Sequence, residues 1–210
     1  MKRPNNFFFP ALLMLALFFI SGCAASYKTI RPQQLYYTAH SNRDGIVVSY
    51  KYNVLQEKGN KKFVRKELKK DIQVVAIKLT NNTPYTLNVR KDLAFYAGDT
   101  PVYPMLPVDI KNQIRQSVPT YLPYLLLTFT TVAFTGGATA VVIPIGILLG
   151  PGITAGNMAV AATANKRLLE ELTEYNILDK DIRPGDTVFG IIGIRNSGFG
   201  PISVRLKNEE

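Results

Sequence analysis

The sequence predicts a mainly β protein with an α insertion, in which an antiparallel β-sandwich is interrupted by an apolar helical hairpin. Two observations support the sandwich: short segments alternate apolar and polar residues with a period of two, and Gly, Pro and Asn residues typical of turns separate them. A third supports the interruption, because no Asp, Glu, Lys or Arg occurs within residues 116–165. The expected organisation is a signal peptide at 1–22, a tether and first strand at 23–44, the first part of the sandwich at 45–110, the helical hairpin at 111–176 and the last strands at 177–210.

The N-terminus has the order of elements of a secretory signal. Residues 1–3 carry the positive charges of Lys2 and Arg3, and residues 7–20 form an apolar run. This run is shorter than the roughly 20 apolar residues that a membrane-spanning helix needs. We therefore expect a removable leader rather than a membrane span.

Residues Ile20, Ser21, Gly22 and Cys23 resemble the lipobox of bacterial lipoproteins, in which a branched apolar residue and two small residues precede a cysteine. The resemblance implies cleavage before Cys23 and attachment of two or three acyl chains, palmitate among them, to that residue. Because Ala24 rather than an aspartate follows, it also implies an outer-membrane anchor facing the periplasm. A membrane span in the insertion would instead favour the inner membrane. The alternative is an ordinary leader, cleaved or uncleaved, with an incidental cysteine.

The residue inventory excludes several kinds of site. The 210 residues contain one cysteine and one histidine, Cys23 and His40, so an internal disulfide and a zinc site built on Cys and His are excluded. The chain has no nucleophile elbow, phosphate loop or dinucleotide fingerprint. We predict a protein that is not an enzyme and that holds no cofactor or metal. The net charge of +10 favours anionic surfaces, and export makes nucleic acid an unexpected partner.

Strand patterns surround the insertion on both sides. Residues 46–54 alternate, Gly59 and Asn60 form a plausible hairpin turn returning through residues 63–64, and residues 72–80 are apolar on both faces, as in a central strand. Further strands are predicted at 85–89, 92–97, 101–105, 188–195 and 202–206. Within the strand 188–195, Gly190 and Gly193 indicate close approach of a neighbour or a bulge.

Two of these segments resemble the small immunoglobulin-like domains of secreted bacterial lipoproteins. Residues 74–89 form a strand that ends in an Asn-rich turn, and residues 182–196 form a Pro-Gly-acid turn that leads into a Gly-containing strand. The resemblance implies an immunoglobulin-like sandwich that binds, braces or docks other molecules. The chain departs from antibody-type domains because it contains no Trp and only one Cys.

The uncharged stretch predicts a helical hairpin with glycines at its packing faces. Gly146 and Gly150, and then Gly152 and Gly156, have the spacing that lets apolar helices approach closely. One interpretation is that the hairpin enters or crosses the membrane that already holds the lipid. The other is that it packs against the sandwich or in a homo-oligomer interface. Lys166 and Arg167, which would lie on the periplasmic side, oppose the first interpretation.

A group of cations forms the second candidate contact surface. We expect it on one hairpin, where it either meets anionic head groups or cell-wall polymer or is a solvated strand edge whose lysines prevent strand pairing. Its members are Lys58, Lys61, Lys62, Arg65, Lys66, Lys69 and Lys70.

Three functions remain open at this point. The leading hypothesis is a non-enzymatic cell-envelope lipoprotein, anchored through Cys23, that acts as a structural, accessory or interaction subunit with envelope proteins or with copies of itself. The second is a membrane-inserting oligomeric lipoprotein whose uncharged, Gly-rich hairpin enters the bilayer. The third is a periplasmic ligand-binding module, which requires an apolar pocket.

Overall fold

A computed structural model describes residues 23–136, 139–195 and 198–207. The signal peptide predicted at 1–22 lies outside the described residues. The chain divides into two compact units. We call the described parts of Met1–Ala25 and Ser117–Ala161 the insert unit, and the described parts of Ser26–Gln116 and Ala162–Glu210 the body unit.

Antiparallel sheets and one long helix make up most of the described chain. The strands are β1 (Ala39–Arg43), β2 (Ile46–Lys51), β3 (Ile72–Asn81), β4 (Leu87–Asn88), β5 (Leu93–Ala97), β6 (Thr100–Val102), β7 (Val132–Gly136), β8 (Thr139–Ile143), β9 (Asp181–Ile182), β10 (Thr187–Arg195) and β11 (Ile202–Leu206). The α-helices are α1 (Val54–Glu57), α2 (Lys61–Lys70), α3 (Val89–Asp92), α4 (Pro107–Ile114) and α5 (Gly146–Glu174). Short 3-10 segments occupy Pro32–Gln34 and Val118–Phe129.

Strand β3 is the centre of the body unit. The four-stranded sheet has the order β1-β2-β3-β10, and the three-stranded sheet has the order β11-β5-β6. Val75, Ile77 and Leu79 of β3 belong to one hydrophobic cluster, together with buried residues of β2, β10 and the three-stranded sheet. Val74 and Ala76 belong to a second cluster, together with residues of α2, α4 and the last turns of α5. Because successive residues of a strand point to opposite faces, an unbroken apolar run produces two cores. The central strand predicted from this run is confirmed.

Both predicted strands after the insertion are present, and their glycines lie where neighbours come close. A Cβ at Gly190 would lie 2.5 Å from Ile177 Cγ2, and one at Gly193 would lie 2.5 Å from Ile110 Cγ1. Any larger residue at either position would therefore overlap a buried isoleucine.

The hairpin predicted around Gly59 and Asn60 is wrong. Residues 61–70 form helix α2, and Gly59, at φ 75°, lies between α1 and α2. Lys and Glu are good helix formers, and the helical period buries Phe63 while the cations stay outside. Similarly, the strand predicted through Val54 ends at Lys51, and Val54 begins α1.

The helical hairpin predicted for 111–176 is also wrong, because one long α-helix, α5, is present there among the described residues, and a 3-10 segment and two strands precede it. Strands β7 and β8 form an antiparallel hairpin, and helix α5 follows it. Residues 130–135 and 139–143 are rich in Thr, Val and Ile, whose branched side chains favour strands, and Gly136 and Gly137 separate the two runs. Hydrophobicity alone does not distinguish this β-hairpin from a helix, because it treats branched and unbranched apolar side chains alike.

Candidate membrane-attachment site

Cys23 lies exposed in the insert unit, beside helix α5. The backbone N–H of the next residue, Ala24, donates to Oδ1 of Asn157 at 2.6 Å. The Asn157 amide group in turn donates to the carbonyl of Ile153 at 2.8 Å, one turn earlier in the helix. The chain that follows Cys23 is therefore held against α5 by a side chain that is itself fixed.

A largely apolar groove of about 410 Å³ begins at Cys23. Gly152 and Gly156 lie along it, and a Cβ at either position would meet no other atom within 4 Å. Its other lining residues are Tyr124, Ile153, Asn157 and Val160. The missing side chains of the two glycines thus help to keep the groove open.

Gly146 and Gly150 have a different environment from Gly152 and Gly156. A Cβ at Gly146 would overlap the carbonyl oxygens of Leu127 and Thr128, and one at Gly150 would lie 2.6 Å from the Thr128 backbone nitrogen. Both glycines therefore let α5 approach the backbone of the 3-10 segment Val118–Phe129. The two pairs, although they share one spacing, have different surroundings within the insert unit.

The insert unit exposes many large apolar side chains. It supplies eleven of the eighteen large hydrophobic side chains that are exposed among the described residues, although it is much the smaller unit. They are Leu122, Leu125, Leu126, Phe129, Val142, Ile143, Ile145, Ile147, Leu148, Leu149 and Val160. Residues 117–161 contain no Asp, Glu, Lys or Arg. Such a surface is typical of contact with a membrane or another protein.

Helix α5 has the length and composition of a membrane span. Among the described residues it is the one helix that passes this test, with a mean hydropathy of 1.3 over 18 residues, of which 22% are buried. Its C-terminal part is different, because Leu168 and Leu172 are buried in the body unit. The exposed apolar surface of α5 therefore lies in its N-terminal part.

The predicted cationic surface lies on a helix instead of a hairpin. Lys61, Arg65 and Lys69 are spaced four residues apart along α2 and are exposed. Lys62, Lys66 and Lys70 form a parallel row, while Lys58 lies just after α1. Like charges at this spacing repel each other, and an anionic surface would relieve that repulsion.

The body unit binds the segment after the anchor through a buried carboxylate. Glu171 is 5% exposed and accepts hydrogen bonds from the hydroxyl of Tyr27 and from the backbone N–H groups of Ile30 (2.7 Å) and Arg31 (2.9 Å). Burial, reinforced by the neighbouring Glu171 carboxylate, raises the pKa of Tyr27, so its hydroxyl remains a donor. Residues 27–31 are therefore fixed and do not form a loose linker.

A second contact holds the same segment. Lys28 N–H donates to Asn60 Oδ1 at 2.9 Å, and Asn60 Nδ2 donates back to the Lys28 carbonyl at 2.8 Å. The Tyr27 ring packs edge-on against Phe63, with 5.5 Å between centroids. Glu171 therefore holds both ends of the segment 27–31, and Asn60 holds Lys28 between them.

Sequence reasoning missed this role of Glu171. The i,i+4 spacing suggests ion pairs of Lys166 with Glu170 and of Arg167 with Glu171. The first pair is present at 3.7 Å, whereas the Glu171 carboxylate is bonded to residues 27–31. The sequence signal for its burial is the helical spacing, since Glu171 lies three residues after the buried Leu168 and four before Tyr175 and therefore shares their face.

Other titratable groups have structural partners. Asp179 pairs with Arg90 at 3.0 Å, and Asp181 accepts from Asn88 Nδ2 at 2.8 Å. Burial raises the pKa of Glu67 to about 7, although its hydrogen bond from the Val74 N–H opposes the shift. Within residues 23–136, 139–195 and 198–207, no group of three or more His, Cys, Asp or Glu side chains could hold a metal ion.

No protein-family model matches the chain, and neither the curated proteins nor the solved structures include a significant match.

Proposed function

We propose that this protein is a non-enzymatic cell-envelope lipoprotein, anchored by acyl chains on Cys23 and acting as a structural, accessory or interaction subunit. The observation that carries the proposal is the position of Cys23, which is exposed beside an uncharged surface rich in exposed hydrophobic side chains. Each buried methylene of an acyl chain contributes about 0.8 kcal/mol, so two or three chains suffice for a stable anchor. Ala24 supports an outer-membrane location facing the periplasm.

The cationic face of α2 supports contact of the body unit with anionic material. Lys61, Arg65 and Lys69 present charges that lipid head groups or cell-wall polymer would neutralise. Each such charge near an anionic surface contributes about 1 kcal/mol at moderate salt. This attraction would add to the lipid anchor without replacing it.

The immunoglobulin-like sandwich predicted from the sequence is part of this proposal. Its support is that the four-stranded and three-stranded sheets share one hydrophobic cluster. The strand order differs from that of antibody domains, in which the second and third strands belong to different sheets, whereas β2 and β3 pair directly. The proposed resemblance to immunoglobulin-like domains therefore concerns the packing of two sheets and does not extend to the order of the strands.

The proposal is tested by replacing the anchor residue. Cells expressing the wild-type chain or Cys23→Ser would be labelled with an alkyne analogue of palmitate, and the purified chains would be measured by intact mass. We expect a mature wild-type chain that begins at Cys23 and carries acyl groups, and no labelling of Cys23→Ser. Ser21→Ala, which keeps a small residue in the lipobox, is the control. A wild-type N-terminus at any other residue, or an unacylated Cys23, contradicts the proposal.

A membrane-inserting oligomer is the second candidate, and the exposed apolar surface of the insert unit favours it. The test uses Cys23→Ser behind an ordinary cleavable leader, because the lipobox leader would not be removed without Cys23 and its apolar run would itself hold the chain. The membranes are washed with alkaline carbonate. Retention in the membrane would support insertion of residues 117–161. Release as a monomer would contradict it and leave the lipid as the sole anchor.

A further inference from the structure

The body unit contains a cavity of about 370 Å³ that neither the anchor nor the insert unit explains. It lies beside β5 and the edge strand β6, and its deepest lining residues are members of the core cluster shared by the two sheets. Leu93, Phe95, Val102 and Leu178 are all less than 8% exposed. The volume is within the range of small-molecule sites, roughly 300 to 1,000 Å³.

The lining residues near the surface include two cations. Lys207 Nζ donates to the Arg90 carbonyl at 2.7 Å, which leaves two of its three N–H donors for another partner. The Arg90 guanidinium pairs with Asp179 through one nitrogen and keeps further donors. Both cationic side chains are therefore able to bind an additional acceptor.

A third cation lies against the aromatic part of the lining. The Arg205 guanidinium stacks on the ring of Tyr96, 4.3 Å from its centroid, and its buried Nε has no hydrogen-bond partner among the described residues. Of the two cations in the lining itself, Arg90 is already paired with Asp179, so Lys207 carries the one positive charge that has no ion-pair partner among the described residues.

We propose that this cavity binds a fatty acid, with the hydrocarbon chain against Leu93, Phe95, Val102 and Leu178 and the carboxylate held by Lys207 and Arg90. An apolar interior requires a hydrocarbon, because a polar group buried there without a partner would be destabilised. A single uncompensated positive charge matches a monoanion better than a doubly charged phosphate. Arginine also binds carboxylates through two parallel hydrogen bonds. The site does not depend on acylation of Cys23.

The test uses a 12-carbon fatty acid that carries a photoreactive diazirine in its chain. The full-length acylated protein, in nanodiscs of phosphatidylcholine, would be irradiated with the probe, and labelled peptides would be mapped by mass spectrometry. We expect labels within residues 93–106, competition by sodium dodecanoate and at least fivefold weaker labelling by the methyl ester of the probe.

Two variants and one matched control locate the site. Ala94→Trp fills the cavity and should abolish the labelling, whereas Lys207→Glu should weaken apparent affinity about tenfold. Lys91→Glu makes the same charge change at an exposed lysine outside the cavity and should leave labelling unchanged. If a thermal melt shows that Ala94→Trp does not fold, the photolabelling of Lys207→Glu is compared with that of Lys91→Glu, and this comparison decides whether the cavity binds the carboxylate. Labelling confined to residues 122–160, equal labelling by the methyl ester, or equal loss in the two lysine variants would overturn the proposal.

Discussion

The body unit and the insert unit differ in where their apolar side chains lie. In the body unit, two clusters bury apolar residues on both faces of the four-stranded sheet, and all the charged side chains of the described residues belong to this unit. In the insert unit, the hydrophobic cluster contains Tyr121, Tyr124 and Ala161 as its buried members, while residues such as Leu126, Phe129 and Leu148 are at least 70% exposed. A unit whose own core is small and whose surface is apolar has the properties typical of a contact site for a membrane or another protein.

The largest expected effect concerns this exposed surface. Replacing Leu126, Phe129 and Leu148 together by Asn, in the Cys23→Ser chain without the leader 1–22, should weaken binding to phosphatidylcholine vesicles by roughly a thousandfold or more, because each buried side chain contributes about 1.5 to 3 kcal/mol. Vesicle flotation at graded lipid concentration measures the change.

The matched control for that surface lies in the body unit. Replacing Tyr36, Leu68 and Tyr85 by Asn removes three side chains that are also more than 70% exposed. We expect vesicle binding to change less than about threefold, since these three residues come from separate segments of the unit that carries all the charged side chains of the described residues. If both triple variants lose binding equally, the insert unit has no special role.

The next effect concerns the buried carboxylate of the body unit. Glu171→Ala should lower the free energy of unfolding by about 4 kcal/mol, because it leaves the Tyr27 hydroxyl and two backbone N–H groups without their acceptor. Glu171→Gln keeps one carbonyl oxygen as an acceptor, so it should lower the free energy of unfolding by less than half of that amount. Urea unfolding of the full-length Cys23→Ser chain gives both values.

The neighbouring residue is the control for Glu171. Glu170 has a side chain that is 60% exposed and pairs with Lys166, so Glu170→Ala should cost no more than about 0.5 kcal/mol. Equal losses at the two positions would show that residues 27–31 are not held by Glu171.

The third effect depends on pH and concerns Glu67. Its pKa of about 7 in the folded chain exceeds the ordinary value of 4.5, so the folded state binds the proton more tightly than the unfolded state. This group therefore lowers stability as pH rises from about 4.5 to 7, by up to about 3 kcal/mol. Relative to wild type, Glu67→Gln should gain stability by that amount between pH 4 and pH 8.

Urea unfolding at several pH values measures the Glu67 effect. The glutamine carbonyl can still accept the hydrogen bond from Val74, so the comparison isolates the charge. Glu170→Gln is the exposed control. A stability difference that does not change with pH would contradict the burial of the Glu67 carboxylate.

The smallest expected effect compares one glycine from each unit. Gly190→Ala should destabilise the body unit by about 2 kcal/mol, because the new methyl group overlaps Ile177. Gly152→Ala places a methyl group in open space on helix α5 and should stabilise the helix by about 0.5 to 1 kcal/mol. Thermal unfolding measures the change in stability of each variant, and amide hydrogen exchange shows whether the change lies in the body unit or in helix α5. The same sign at both positions would contradict the difference in packing.

Local patterns predicted the central strands. Strands β2 and β11 were predicted from alternation and β3 and β10 from short apolar runs, and all four are close to their predicted positions because both signals require only neighbouring residues. Helix α2 was missed because a Gly-Asn pair before a lysine-rich segment is compatible with a turn as well as with a helix start. The β7–β8 hairpin was missed because hydrophobicity alone does not distinguish a strand from a helix.

The sequence by itself determined which segment carries no charge, where the only cysteine lies and that the central strand is apolar on both faces, since these properties are local. Only the tertiary structure decided that Glu171 turns inward to residues 27–31, 140 or more residues earlier in the chain. It also decided that Gly146 and Gly150 meet a backbone while Gly152 and Gly156 leave a groove open. Contacts of that kind depend on which distant segments fold together, and no spacing along the chain encodes them.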